Sequence, residues 1–178
     1  MIRAVAAAFA FLATVASAQA PEPDSYRMDE YRAPVPETLA GATVLTPTEA
    51  HDLWTSGAAF VDVLPRAPKP ANLPEGTIWR EKPRHSIPGS VWLPNVGYGA
   101  IALETDAYFR SGLEAATKGD RDAPLVLFCL DECWMSWNAA KRALEYGYTS
   151  VYWLPEGTDG WSFEDYPTEV IEPAPPVD

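Results

Sequence analysis

Apolar residues fall in short runs separated by polar stretches marked with glycine or proline, and the runs differ in kind. Residues 42–45 (Ala-Thr-Val-Leu) predict a short strand, and Thr46-Pro47-Thr48-Glu49 is a capping box with proline at the first helical position. That signal opens a helix to about Ser56, stopped by Gly57. Residues 58–63 are almost continuously apolar up to Asp62 and predict a buried strand. A further short strand is predicted over 91–93, after the turn Ile87-Pro88-Gly89, and a helix over 106–118 ending at Gly119. The uninterrupted run 124–128 predicts another strand, 136–146 a helix closed by Gly147, and 151–154 the next strand. Strands alternating with helices predict an α/β fold, a parallel sheet covered by helices on both faces.

Four segments stand outside this rhythm. Met1-Ile2-Arg3, an apolar run over 4–15 and the small residues Ala16-Ser17-Ala18 predict a secretory signal peptide, residues 1–18, cleaved after Ala18. The run is shorter than the roughly 20 residues a membrane span needs, and no later stretch is apolar enough for one. An exported, periplasmic protein is the expectation. Residues 19–41, with four prolines, predict an extended arm packed by Tyr26, Tyr31 and Leu39. Residues 64–84 hold five prolines, which excludes regular structure over most of that length. Residues 173–178 read as a proline-rich tail, leaving residues 42–172 as the folded domain.

Composition narrows the function. With 13 Lys and Arg against 25 Asp and Glu, a nucleic-acid partner is excluded, because phosphate binding needs cations. The two histidines, His51 and His85, are too few for a His-rich metal site, and no metal site is predicted. His85 is expected as a satisfied structural histidine, and Lys141 and Arg142 as solvated helix charges near Glu145. No Cys-x-x-Cys-His motif is present, so no covalent haem is expected.

The chemistry concentrates in Cys129 and Cys133, four positions apart, between the strand 124–128 and the helix that follows. The carboxyl end of a parallel strand is where α/β sheets bind ligands, and a helix N-terminus favours a thiolate. Asp131 and Glu132 oppose that effect, since like charges raise a thiol pKa. An exported pair can be a reducible disulfide, a permanent bridge, or part of a metal or sulfur-transfer site. A ring this small gains little as a staple, which favours a functional pair.

The run from Val126 to Trp161, a strand-end cysteine, a loop, a helix with paired alanines, a Gly-aromatic stop, a strand and a Gly-x-x-x-Trp ending, resembles the catalytic half of a rhodanese domain. Asp62-Val63 resembles the rhodanese Asp-Val-Arg strand end, and residues 85–90 its His-Ile-Pro-Gly-Ala turn with Ser86 inserted. Cys129-Leu-Asp-Glu-Cys133-Trp134, continued to Arg142, resembles an exported group associated with PQQ-dependent catabolism and marked by a Cys-x-x-x-Cys-Trp motif.

The resemblance implies a rhodanese-like fold and a dithiol/disulfide site, with Cys129 attacking and Cys133 resolving. It implies Asp62, Asp131, Glu132 and Ser136 as loop support. A PQQ-related quinone on Trp134 and Trp137 is the cofactor it suggests, and a periplasmic quinoprotein dehydrogenase or its electron acceptor the partner. The alternative is a binding module with a structural disulfide. Departures from ordinary rhodaneses weaken a third reading, a thiosulfate sulfurtransferase. No Gly or Arg lies between Cys129 and Ser136, two carboxylates stand in the loop, and Leu64 follows Asp62-Val63 where Arg is usual.

Overall fold

The computed structural model describes residues 20–176, so the expected leader lies outside the described residues. In chain order the elements are β1 (Thr43–Val44), α1 (Pro47–Thr55), β2 (Ala59–Asp62), β3 (Arg84–Ser86), β4 (Val91–Trp92), α2 (Leu103–Thr117), β5 (Leu125–Phe128), α3 (Trp134–Glu145), β6 (Val151–Leu154), α4 (Gly157–Phe163) and β7 (Glu169–Ile171). Five strands form a parallel sheet in the order β1-β6-β5-β2-β4, and β3 pairs antiparallel with β7 beside it. The predicted α/β class is the one observed.

Period-two alternation in the central strands divides the apolar residues between two faces. Val61, Leu125, Leu127 and Trp153 face Phe109, Leu113, Trp137 and Ala140 of α2 and α3. Phe60, Val126, Phe128 and Leu154 meet Ala50 of α1 and Trp161 of α4 on the other side. β5 is buried at all four positions, which explains its unbroken apolar run. It lies at the centre of the sheet, so the loop that follows it leaves from the middle of the domain.

Local signals fix the helix ends. The Thr46 hydroxyl accepts the Glu49 N–H while the Glu49 carboxylate accepts the Thr46 N–H, the reciprocal bonds the capping box predicts. α2 begins at Leu103 rather than 106, because Leu103 is 85% exposed and leaves no apolar period to read. α3 begins two residues earlier than predicted, with Cys133 in extended backbone as its N-cap.

β3, β7 and α4 are the elements the pattern did not show. β3 and β7 are three residues each and have no independent apolar signal, and α4 spans only seven residues, two of them glycine. The start of the predicted tail is docked. Pro173 forms a bridge with Trp92, and the Ala174 N–H donates to the Trp92 carbonyl at 2.8 Å.

Two charge expectations are corrected. Arg142 is buried, donating to the carbonyls of Val96, Tyr98 and Gly99 at 2.9–3.1 Å, since a loop packed on α3 leaves those carbonyls needing donors. Lys141 lies over the Trp137 ring at 5.5 Å, while Glu145 accepts the Tyr26 hydroxyl. The arm runs extended across α3, held by a two-way exchange between the Arg27 backbone and the Asn138 amide, both at 2.9 Å. Leu39 anchors its end in the core.

Candidate functional site

Chain direction puts Cys129 one residue past the central strand, and Cys133 at the mouth of α3. Their Sγ atoms are joined as a disulfide with the Cα atoms 6.3 Å apart, and both residues are buried. Leu130, Asp131 and Glu132 connect the two cysteines. Glu132 takes a left-handed φ of 48°, which turns the chain back to Cys133. The carboxylates of Asp131 and Glu132 are exposed, so solvent screens the repulsion that the sequence put beside the sulfurs.

The base of the loop is a buried polar cluster. Asp62, at the end of β2, is fully buried and accepts Arg84 Nε at 2.7 Å, Ser86 Oγ at 2.6 Å and the Leu64 N–H at 2.9 Å. Burial pushes its carboxyl up, and Arg84, Ser86 and Leu64 pull against that shift. Arg84 extends the cluster to the loop by donating Nη2 to the Cys129 carbonyl at 3.3 Å and to Thr158 Oγ1 at 3.2 Å. The Cys129 carbonyl also accepts the Thr158 N–H at 3.1 Å. Gly157 makes this approach possible, since its φ is 51° and a Cβ there would lie 2.5 Å from the Cys129 oxygen.

Four N–H groups of the loop and the start of α3 are committed within the fold. The Asp131 N–H donates to Asp159 at 3.0 Å, and the Glu132 N–H to the Asp131 carboxylate at 2.9 Å. The Trp134 N–H donates to the Tyr31 carbonyl at 2.9 Å, and the Ser136 N–H to the Cys133 carbonyl at 3.3 Å. An anionic donor needs several converging N–H groups, and these four are turned elsewhere. Ser136 also supports α3 internally, accepting the Trp153 indole N–H at 3.0 Å and donating to the Cys133 carbonyl at 3.0 Å.

The arm covers the cysteine end of α3. Arg32 pairs antiparallel with Cys133, through the Trp134-to-Tyr31 bond and an Ala33 N–H donated to the Glu132 carbonyl at 3.2 Å. Trp134 donates its indole N–H to the Pro34 carbonyl, Trp137 donates its own to the Thr38 carbonyl, and Arg27 lies over the Trp134 ring at 5.2 Å. The two rings meet edge to face and are 2% and 0% exposed. Neither presents an open face, so the residues suggested for a quinone do not fit one in this arrangement.

The structure thus brings Cys129, Cys133, Asp62 and Ser136 together, and leaves the side chains of Asp131 and Glu132 exposed, the former accepting the Glu132 N–H. His85 is corrected. It is exposed on β3, because Arg84 and Ser86 take the inward positions of that strand. Sequence reasoning missed Arg84, Gly157, Thr158 and the arm contacts. A signal for Arg84 existed, since a buried aspartate at a strand end needs a cation, and Arg84-x-Ser86 has the spacing of one strand face. Among the described residues, no group of three or more His, Cys, Asp and Glu could hold a metal ion.

A strand-end cysteine loop, seated on a buried carboxylate at the centre of a parallel sheet, defines a class of α/β domain. The family model of the rhodanese-like domain matches residues 46–164, and the chain belongs to that family. Comparison with curated proteins found no match. Among solved structures, the chain is similar to the solution structure of the 30 kDa polysulfide-sulfur transferase homodimer from Wolinella succinogenes. The identity is 18%, the TM-score 0.45, and the match covers 73% of this chain and 80% of that one.

Proposed function

We propose that this protein is a dithiol/disulfide protein in which the rhodanese strand-end cysteine works with a second cysteine instead of carrying sulfur alone. One observation carries the reading: Cys129, at the loop position of the family, is bonded to Cys133 at the N-cap of α3. In the reduced form the Cys129 thiolate attacks a partner's disulfide and releases one partner thiolate. Cys133, deprotonated, then attacks the mixed bond and releases the second, so two electrons pass to the partner and the Cys129–Cys133 bond forms. The four committed N–H groups, together with the two carboxylates of the loop, speak against thiosulfate as donor.

The leader-like first 18 residues and the Cys-x-x-x-Cys-Trp resemblance support a periplasmic setting, as an accessory of PQQ-dependent alcohol oxidation whose partner is a quinoprotein dehydrogenase or its electron acceptor. A second reading, a binding module with a permanent bridge, draws on the burial of both cysteines and on the arm's pairing with Cys133. The reduction potential of the pair, equilibrated in graded glutathione buffers and read by thiol alkylation, separates the two. A value of about −200 to −100 mV is expected for exchange chemistry. A value below about −300 mV would mark a structural bridge and overturn the proposal.

A further inference from the structure

Beside the cysteine loop, the proline-rich segment 64–84 folds back to enclose a cavity of about 530 Å³. Leu64, Trp79, Trp92 and Leu130 give it apolar walls, with Pro65, Pro68 and Pro70 along the segment's side. It lies at the carboxyl ends of β2 and β4, next to a residue of the Cys129 loop, in the crevice position of open α/β sheets. Cavities of roughly 300–1,000 Å³ with mostly apolar walls are of small-molecule size.

Charge distinguishes this cavity from the rest of the molecule. Segment 64–84 holds five of the 13 Lys and Arg but only two of the 25 Asp and Glu. Pairing then shows which charges are available. Glu81 is bound by Arg66 at 2.5 Å, and Arg84 is committed to Asp62 and the Cys129 carbonyl. Arg80 and Lys82 line the same cavity, are exposed, and make no hydrogen bond or ion pair with the described residues. Two unpaired cations over indole and proline walls are complementary to a flat apolar body bearing an anionic group. The acidic remainder of the surface would repel a large polyanion, so the complementarity suits a small one.

We infer that this cavity binds a small aromatic carboxylate, its rings against Trp79 and its carboxylate held by Arg80 and Lys82. The site is separate from the thiol chemistry, and binding is read with the disulfide intact, so it stands or falls independently of the pair's potential. The test is calorimetric titration of the oxidised, leaderless protein with 2-naphthoate, and with methyl 2-naphthoate as its neutral counterpart.

Saturable binding of naphthoate is expected, about threefold or more tighter than the ester, as exposed charge pairs give. Arg80→Ala/Lys82→Ala should erase that preference while leaving ester binding in place, and Arg80→Glu/Lys82→Glu should reverse it. Trp79→Ala should weaken both ligands, and Lys118→Ala, remote from the cavity, should change neither. Equal affinity for acid and ester, an unchanged preference in the double alanine variant, or no saturable binding of naphthoate up to millimolar concentration would overturn the inference.

Discussion

Arg84 and His85 are adjacent in sequence and opposite in consequence. Arg84 holds a buried carboxylate and the carbonyl of Cys129, whereas His85 faces solvent on the other side of the same short strand. Removing one partner of a buried ion pair leaves an uncompensated charge and costs about 3–5 kcal/mol. Arg84→Ala is therefore expected to lower unfolding stability by about that amount, and His85→Ala to stay within about 0.5 kcal/mol, both measured by urea denaturation. Equal losses would mean that the Asp62 cluster does not support the loop. At this scale the sequence was legible where chemistry is local: Cys129, Cys133 and Asp62 could be named because each ends a strand or opens a helix. Arg84 and Thr158 could not, because their roles exist only where segments 22 and 74 residues apart in sequence meet.

Among the elements, those with a long apolar run or a complete cap were readable and those defined by partners were not. β5, β6 and α1 carry their own signals, while β3 and β7 exist because they pair with each other. The arm belongs to the second kind. Its prolines foretold an extended path, but no periodicity says that Tyr31 and Ala33 will bond either side of Cys133. That contact makes a kinetic prediction, since every 1.4 kcal/mol of arm docking reduces the uncovered fraction tenfold. A variant lacking residues 20–36 is expected to be reduced by dithiothreitol about tenfold faster or more, with a red shift in Trp134 emission. An unchanged rate would show that reductant reaches the sulfurs by another face.

Over the whole molecule, carboxylates outnumber cations, and several are tuned by the fold. The Thr38 hydroxyl and Ala40 N–H hold Glu22 below the ordinary carboxylate range, tying the start of the arm to its end. The Thr46 N–H and hydroxyl do the same for Glu49, and Arg66 for Glu81. A folded pKa below the unfolded one gives stability that is present above the unfolded value of 4.5 and is lost as pH falls through the folded value. Asp62 acts in the opposite sense, because burial raises it. The melting temperature is expected to hold from pH 7 to about 5 and to fall below about 4.5, with a shallower acid limb in Glu22→Gln/Glu49→Gln, as followed by circular dichroism. An acid limb unmoved by that double variant would remove these caps as its cause.

The spacing of the bonded cysteines has a consequence for the order of assembly. Four positions separate them, so their encounter needs only a short loop to close, whereas Arg32 must travel back across 101 positions to reach Cys133. Short closures are fast and distant ones slow. The bond can therefore form while most of the chain is still unstructured, and the arm then settles against a Cys133 that is already oxidised.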